Sequence, residues 1–216
     1  MGQYYKAIIL NEEKSKPLFY GCAHDFGNGV KLMEHSWQGN VFVGLIEKAL
    51  ISNPMRLVWS GDYADNENVE NIDKDVLKEL AKEYESDEVL TDGANLYSIA
   101  NHVGVKITHD EHLGYGDNKK SVYDHEFKSL PKRFKYLVNH DTKQFVDKSK
   151  VPVTDWCKWQ IHPLPLLTCE GNNRGGGDYR GEDKIIGSWA RNLISVESRK
   201  SNIPKGFTEL AFNLVE

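Results

Sequence analysis

The period of the apolar residues changes along the chain, and this change constrains the fold more than any other feature of the sequence. Aromatic and β-branched residues typical of strands occupy residues 4–10, 18–22 and 134–138. Between them, apolar residues recur with helical spacing over residues 41–50 and 73–85. Because strands and helices come in blocks rather than alternating singly, this order predicts an α+β fold with a mainly antiparallel sheet and two to three packed helices.

Capping residues and helix breakers predict where the helices begin and end. Asn40 and Asp73 are side chains of the kind that cap helix N-termini, and Pro54 follows the first helix. A shorter third helix is expected over residues 95–103, with Gly104 as its C-cap. The apolar stripes of the first two helices should face the sheet.

Further strand-like segments are predicted with weaker patterns. We expect a short strand at residues 30–33 and closing strands at 187–196 and 207–214. The segment 159–168 contains two prolines, which predicts an extended stretch that is not a central, fully paired strand.

Length and composition favour one domain over residues 1–216. The chain is 39% apolar and 27% charged, which is enough apolar material for a packed core. Its net charge of −5 lacks the basic footprint of a protein that binds nucleic acid non-specifically.

The three cysteines indicate a reducing compartment. Cys22, Cys157 and Cys169 are few, odd in number and far apart, so they predict neither a disulfide framework nor a zinc site. No secretory signal is recognisable at the start of the sequence, and no apolar run is long enough to span a membrane. The expectation is a cytoplasmic protein with no membrane partner, no bound metal and no cofactor.

A glycine-rich segment over residues 170–181 is the strongest candidate for a ligand site. Glycines let backbone amides approach an anion, and arginines add multidentate donors for phosphate or carboxylate. The spacing fits neither a Walker motif nor a dinucleotide fingerprint. The alternative is a hairpin loop in which the glycines only satisfy turn geometry. The candidate ligand-binding residues are Arg174, Gly175, Gly176, Gly177, Asp178, Tyr179 and Arg180.

A second candidate is the turn that follows the strand predicted to end near Trp59. Asp62, Tyr63 and Asp65 could bind a metal, a ribose or a base, or could form an Asp turn that bonds its own backbone. Both this turn and the glycine-rich segment contain Gly-Asp-Tyr. We therefore predict that the Asp62 and Asp178 loops line one cleft, because strand ends gather loops at one edge of a sheet.

Two histidine-containing segments are weaker candidates. His35 and Ser36 precede the first helix, where they could sit near an anion or simply belong to the core. The second segment offers metal ligands without the spacing of a known zinc motif, at His102, His109, Asp110, His112 and His125.

Several segments resemble a family of hypothetical proteins from bacteriophages and from Gram-positive or gut bacteria. The resemblance runs nearly end to end and rests on residues 1–6, 31–37, 59–65, 136–140 and 162–167 with the glycine-rich segment after them. The family has no established activity, so the resemblance implies a phage-related setting and transfers no catalytic residue. Asn173 departs from the glycine that the resemblance leads one to expect.

Three classes of function fit these features. In the first, the protein captures an anionic, nucleotide-like molecule, as a phage counter-defence factor could. In the second, it is an immunity or inhibitor protein that docks on a larger protein through exposed aromatic side chains. In the third, it is a hydrolase or transferase for a phosphorylated substrate, with Asp62, Asp65, Glu170 and Asp178 as acid/base or metal-binding groups.

Overall fold

The structure is a computed structural model that describes residues 3–108, 132–154, 158–171 and 184–214. Nine strands belong to one sheet in these ranges. They are β1 Tyr5–Leu10, β2 Pro17–Cys22, β3 Met55–Gly61, β4 Val105–Lys106, β5 Tyr136–Asn139, β6 Gln144–Asp147, β7 Cys169–Glu170, β8 Asn192–Glu197 and β9 Thr208–Glu209.

The sheet is mixed and mainly antiparallel, as predicted. Its strand order is β4-β2-β1-β3-β8-β5-β6-β9, and β7 pairs with β3 off this path. The long central pairs β1–β2, β1–β3, β3–β8, β5–β6 and β5–β8 are antiparallel. The parallel pairs β2–β4, β3–β7 and β6–β9 contain two residue pairs each. Together with the helices, this sheet makes the fold α+β.

Helices cover both faces of the central strands. They are α1 Leu32–His35, α2 Val41–Leu50, α3 Lys74–Glu83, α4 Val89–Asp92, α5 Leu96–Val103 and α6 Pro163–Thr168. Because side chains alternate along a strand, Tyr5 and Ala7 of β1 face the core that contains α2 and α6, whereas Ile8 joins the cluster on the α5 side. Helix α3 packs on α5 through a third apolar cluster.

The helix-capping predictions are confirmed, with one correction. Asn40, Asp73 and Asn95 precede α2, α3 and α5, and each side chain accepts a hydrogen bond from a backbone N–H of the first turn. Gly104 does follow α5, but its backbone is extended, with φ −76°, and not left-handed. A side chain at Gly104 would crowd the Tyr20 ring, at 3.0 Å from Cδ1, so close packing is what favours glycine there.

Two segments differ from the predicted strands in kind. Residues 30–33 do not form a strand, because Leu32 already begins α1 and the pairing is limited to a single bridge between Lys31 and Tyr4. Residues 163–168 form helix α6 instead of an extended stretch. Pro163 occupies the first turn, where its missing N–H does no harm, and the His162 side chain accepts from the Leu164 N–H.

The closing strands are shorter than predicted. Strand β8 begins at Asn192, because residues 184–191 form turns before it. Strand β9 contains two residues, and residues 210–214 continue without regular structure. No helix in the described part of the chain is both long and apolar enough to cross a membrane.

Candidate functional site

The carboxyl end of β3 lies beside strand β7, which leads into the glycine-rich segment. Strand β7 runs parallel to β3, with Trp59 opposite Cys169 and Ser60 opposite Glu170. Parallel strands end at the same edge of a sheet, so Asp62, which follows β3, and Gly171, which follows β7, lie at the same edge. The candidate residues from Arg174 to Arg180 lie outside the described residues, and the shared cleft with Asp178 therefore stays a prediction.

Asp62 anchors its turn to two neighbouring elements. Its backbone N–H donates to Tyr4 O at 2.9 Å, and its Oδ1 accepts from the Tyr4 N–H at 3.0 Å. The Asn95 amide at the start of α5 donates to Asp62 O at 2.9 Å. The turn is thus held to β1 on one side and to α5 on the other.

A cavity of about 470 Å³ opens beside this turn, and we call it the Asp62 cavity. Its lining comes from the Asp62 turn, α4 and the flanks of α3 and α5. The lining residues are Asp62, Asn66, Tyr84, Ser86, Glu88, Val89, Asp92, Gly93, Ala94, Asn95, Tyr97 and Ser98. Tyr63 is 49% exposed and Asp65 is exposed, and neither belongs to the lining.

The Asp62 cavity is rich in hydrogen-bond acceptors. Asp62, Glu88 and Asp92 contribute carboxylates, and the lining set contains no lysine or arginine. Several of its donors are already engaged: the Asn66 amide donates to Asp92 O at 3.2 Å, and the Tyr84 hydroxyl donates to Ser98 Oγ at 2.6 Å. The cavity therefore favours ligand groups that carry donors and no negative charge.

Lys6 contacts Tyr97, one of the residues that line the cavity. Its ammonium donates to Tyr97 O and to Asn101 Oδ1, both at 2.8 Å, and lies 3.7 Å from the centre of the Tyr97 ring. Burial lowers the pKa of Lys6 to about 8, and burial raises the pKa of Tyr97 to about 12. The Tyr97 phenol is consequently protonated at neutral pH, and its ring is held in place by a cation–π contact.

Glu67 and Glu170 lie at this edge and are joined by Arg191, and we call these three residues the Arg191 clamp. The guanidinium belongs to Arg191. Its Nε and NH2 donate to the two oxygens of Glu170 at 2.7 and 2.5 Å, and NH2 also donates to Glu67. Burial alone would lower the pKa of Arg191, but the bonds to Glu170 and Glu67 raise it well above its ordinary value. The guanidinium therefore stays charged, and its Nε and NH2 groups are engaged by the two glutamates.

Of the residues at this edge, the sequence patterns indicate Glu170 but not Glu67, Arg191 or the cavity residues of α4. Arg191 and Glu67 lie 124 residues apart, so no local pattern connects them. Helix α4 is a single turn without an apolar stripe of its own. The nearest local sequence signal to Arg191 is the Ser188-Trp189 pair, which Ala190 separates from it.

The histidine candidates have structural partners where they are described. His35 is buried, with Nδ1 3.0 Å from Gly29 O and with Nε2 accepting from Trp59 Nε1 at 3.0 Å. His102 lies between Glu79 and Glu83 of α3, at 3.1 and 3.0 Å. Across the described ranges, no group of three or more histidine, cysteine or carboxylate side chains is placed to hold a metal ion.

Comparison with known proteins returns no relatives. No protein-family model matches the chain, and neither a curated protein nor a solved structure matches it.

Proposed function

We propose that the protein captures a small nucleotide-like molecule at the carboxyl end of β3 without turning it over. The observation that carries this proposal is the parallel pairing of β7 with β3, which starts the glycine-rich segment beside the Asp62 turn. The sugar or base of the ligand would enter the Asp62 cavity. Arg174, Arg180 and the backbone amides between them would hold its phosphate, with Tyr179 as a stacking partner.

The two halves of such a ligand match two different environments. Ribose hydroxyls and base amines are donors, and carboxylates such as Glu88 and Asp92 accept from them. A phosphate would be repelled inside a cavity lined by three carboxylates. The proposal therefore places the phosphate at the glycine-rich segment and the nucleoside in the cavity.

Capture is favoured over turnover by the residues that line the Asp62 cavity. Neither histidine, lysine nor cysteine is among them, and the Tyr97 phenol has a pKa of about 12. The carboxylates of Asp62, Glu88 and Asp92 are the acid/base candidates that remain, and Asp62 Oδ1 already accepts from the Tyr4 N–H, so recognition is the role that this lining supports best. A nucleotide ligand places the proposed action in the cytoplasm, and the resemblance to phage proteins fits removal of a host nucleotide signal.

The proposal is tested by calorimetric titration with nucleosides, nucleotides, cyclic dinucleotides and ADP-ribose. We expect at least one phosphorylated compound to bind and to be recovered unchanged. Arg174→Ala or Arg180→Ala should weaken the binding of that compound by about tenfold to a hundredfold, because each removes a charge-assisted hydrogen bond. Lysine at either position should restore only part of the loss.

Matched controls separate the two halves of the site. Glu88→Gln should weaken nucleoside binding, whereas Glu70→Gln, an exposed carboxylate outside the cavity, should not. Arg199→Ala serves as the control for the arginine variants, because Arg199 is exposed and follows β8 beyond the opposite end of β3. Absence of binding across the panel, or equal binding by wild type and the double arginine variant, would refute nucleotide capture.

A second candidate function, docking on a basic protein, is favoured by an uneven distribution of charge. Residues 62–92 contain twelve carboxylates and three lysines, a net charge of −9 within a chain of −5, so the remainder carries +4. Tyr63, Tyr84 and Leu90 lie in the same segment and are 40–49% exposed, as anchors of an interface would be. This function predicts a protein partner whose binding weakens steeply with salt and is lost when Glu79 and Glu83 are both changed to Gln.

A further inference from the structure

The three carboxylates that line the Asp62 cavity differ in how many of their oxygens are already engaged. Asp62 Oδ1 accepts from the Tyr4 N–H at 3.0 Å, and Asp92 Oδ1 accepts from the Thr91 hydroxyl at 2.9 Å. The Glu88 carboxylate has neither a hydrogen bond nor an ion pair with another residue in the described part of the chain. Glu88 is therefore the lining residue that presents two unengaged acceptor oxygens on one side chain.

The backbone around Glu88 holds this side chain at the edge of the cavity. The Glu88 N–H donates to Ser86 Oγ at 3.3 Å, and the Glu88 carbonyl accepts from the Asp92 N–H at 2.8 Å. Gly93 ends this turn with a φ of 74°, and a side chain there would lie 2.0 Å from Glu67 O. The turn that carries Glu88 is thus packed closely against the segment that follows the Asp62 turn.

Two aromatic rings line the same cavity. The Tyr84 hydroxyl donates to Ser98 Oγ at 2.6 Å, and the Lys6 ammonium lies 3.7 Å from the centre of the Tyr97 ring, so both rings have fixed partners. The cavity volume of about 470 Å³ lies within the range of roughly 300–1,000 Å³ that small-molecule sites occupy. Aromatic rings with a free carboxylate beside them suit a planar base, which offers a face to the rings and an edge to the carboxylate.

The common bases differ in how their edges meet a carboxylate. Guanine carries an N1–H beside an exocyclic amine, so it can donate two parallel hydrogen bonds to the two oxygens of one carboxylate. Adenine and cytosine place an amine beside an unprotonated ring nitrogen, whose lone pair is repelled by the second carboxylate oxygen. Uracil flanks its single N–H with carbonyl oxygens, which are repelled in the same way. A carboxylate with both oxygens free therefore favours guanine.

We infer that Glu88 is a specificity-determining residue that selects guanine in the Asp62 cavity by accepting from its N1–H and its exocyclic amine. This inference rests on the proposed capture of a nucleotide-like ligand and names the base of that ligand. All the cavity residues concerned belong to the described part of the chain, and the base contact is independent of where the phosphate is held.

The test compares GMP, IMP and AMP, which carry the same ribose phosphate and differ only in the base. IMP keeps the N1–H of GMP and lacks its exocyclic amine. In calorimetric titration of the wild type, the dissociation constant of GMP should be at least about tenfold below those of IMP and AMP, because only GMP makes the paired bonds. Guanosine, inosine and adenosine repeat the comparison without the phosphate and should show the same order.

Glu88→Gln gives a result that a purely structural role would not produce. A glutamine amide presents one acceptor and one donor, which match the amine and ring nitrogen of adenine instead of the two donors of guanine. We define the guanine preference as the dissociation constant of AMP divided by that of GMP. This preference should fall by at least about tenfold in the variant, so the loss of nucleoside binding is confined to guanosine. Glu70→Gln, an exposed carboxylate outside the lining, should leave the preference unchanged.

Thermal unfolding of Glu88→Gln should match that of the wild type, because the described residues offer the Glu88 carboxylate no partner to lose. Equal wild-type affinity for GMP, IMP and AMP overturns the inference and leaves nucleotide capture standing. An unchanged guanine preference in Glu88→Gln also overturns it, since a change of charge or cavity shape alone acts on both nucleotides alike. A wild-type protein that binds other phosphorylated compounds but none of these three removes the inference alone. Absence of binding to every compound removes the inference and the proposed function together.

Discussion

Two clusters of charged side chains in this protein differ mainly in how far water reaches them. One is the Arg191 clamp at the carboxyl end of β3, whose side chains are 11–23% exposed. The other, which we call the buried triad, consists of Glu47 on α2, Lys148 after β6 and His162 before α6, at 0–2% exposure. Each cluster ties together segments that are distant in sequence.

The members of the buried triad lie against one another. Lys148 donates to Glu47, His162 Nε2 lies 3.1 Å from Glu47, and His162 Nδ1 caps α6. Burial alone would raise the pKa of Glu47, but Lys148 and His162 hold it at about 2. Burial lowers the pKa of Lys148 and of His162. Such a group stabilises the fold only while all its members are present.

The Arg191 clamp differs because its members are partly exposed and carry a net charge of −1. Water can solvate a charge that has lost its partner there, so a substitution in the clamp need not unfold the protein. Fully buried charged groups here contribute to the stability of the fold alone. Partly exposed charged groups at a strand end can also take part in a binding site.

The largest expected effect tests the enclosed side of this comparison. Glu47→Gln leaves the Lys148 ammonium buried without a counter-charge, which should lower the free energy of unfolding by about 3–5 kcal/mol. The measurement is urea unfolding near neutral pH. The double variant Glu47→Leu/Lys148→Met should be more stable than Glu47→Gln, since an apolar pair leaves no charge behind. A loss below about 1 kcal/mol in the single variant would show that water reaches the triad.

A somewhat smaller effect concerns His35, another enclosed polar group on the α2 side of the sheet. Because Nε2 accepts from Trp59, the ring is neutral in the fold, and burial lowers its pKa to about 4. The unfolded chain takes up this proton first, near its ordinary pKa of about 6.5. Stability is therefore fully present above pH ~6.5 and falls by up to about 3 kcal/mol as the pH drops to ~4, with no further loss from this group below that.

The measurement for His35 is urea unfolding at several pH values between these limits, for wild type and His35→Phe. The wild type should lose stability faster than the variant as the pH falls. Parallel pH dependences would mean that His35 does not resist protonation in the fold.

Fold prediction from the sequence succeeded where two local signals agreed. Helix α2 spans the predicted residues because its apolar spacing and the Asn40 cap point to the same start. The prediction of an extended stretch over residues 159–168 is wrong because Pro163, which disfavours a paired strand, is well suited to a first helical turn. The capping by His162 that resolves the ambiguity depends on side-chain geometry that no local pattern contains.

The candidate site was predictable only in part, for a related reason. Asp62 could be found because a turn after a strand is a local feature, and it does line the cavity. Tyr63 and Asp65 were predicted because a hydroxyl and a second carboxylate follow the same strand end, but both are exposed and lie outside the lining. The clamp depends on pairing between Glu67 and Arg191, which only the assembled sheet brings together.

The smallest expected effect is the same substitution made in the clamp. Glu67→Gln should change the free energy of unfolding by no more than about 1 kcal/mol, because the pair is partly solvated and Glu170 keeps its two bonds to Arg191. The substitution also brings the clamp from a net charge of −1 to neutrality, which offsets part of the lost attraction. The measurement is urea unfolding of Glu67→Gln and Glu47→Gln under the same conditions. The two variants lose the same carboxylate charge, one from a partly exposed cluster and one from a buried cluster. If both substitutions lower stability equally, exposure does not separate the two clusters, and the Arg191 clamp has to be regarded as part of the folding core.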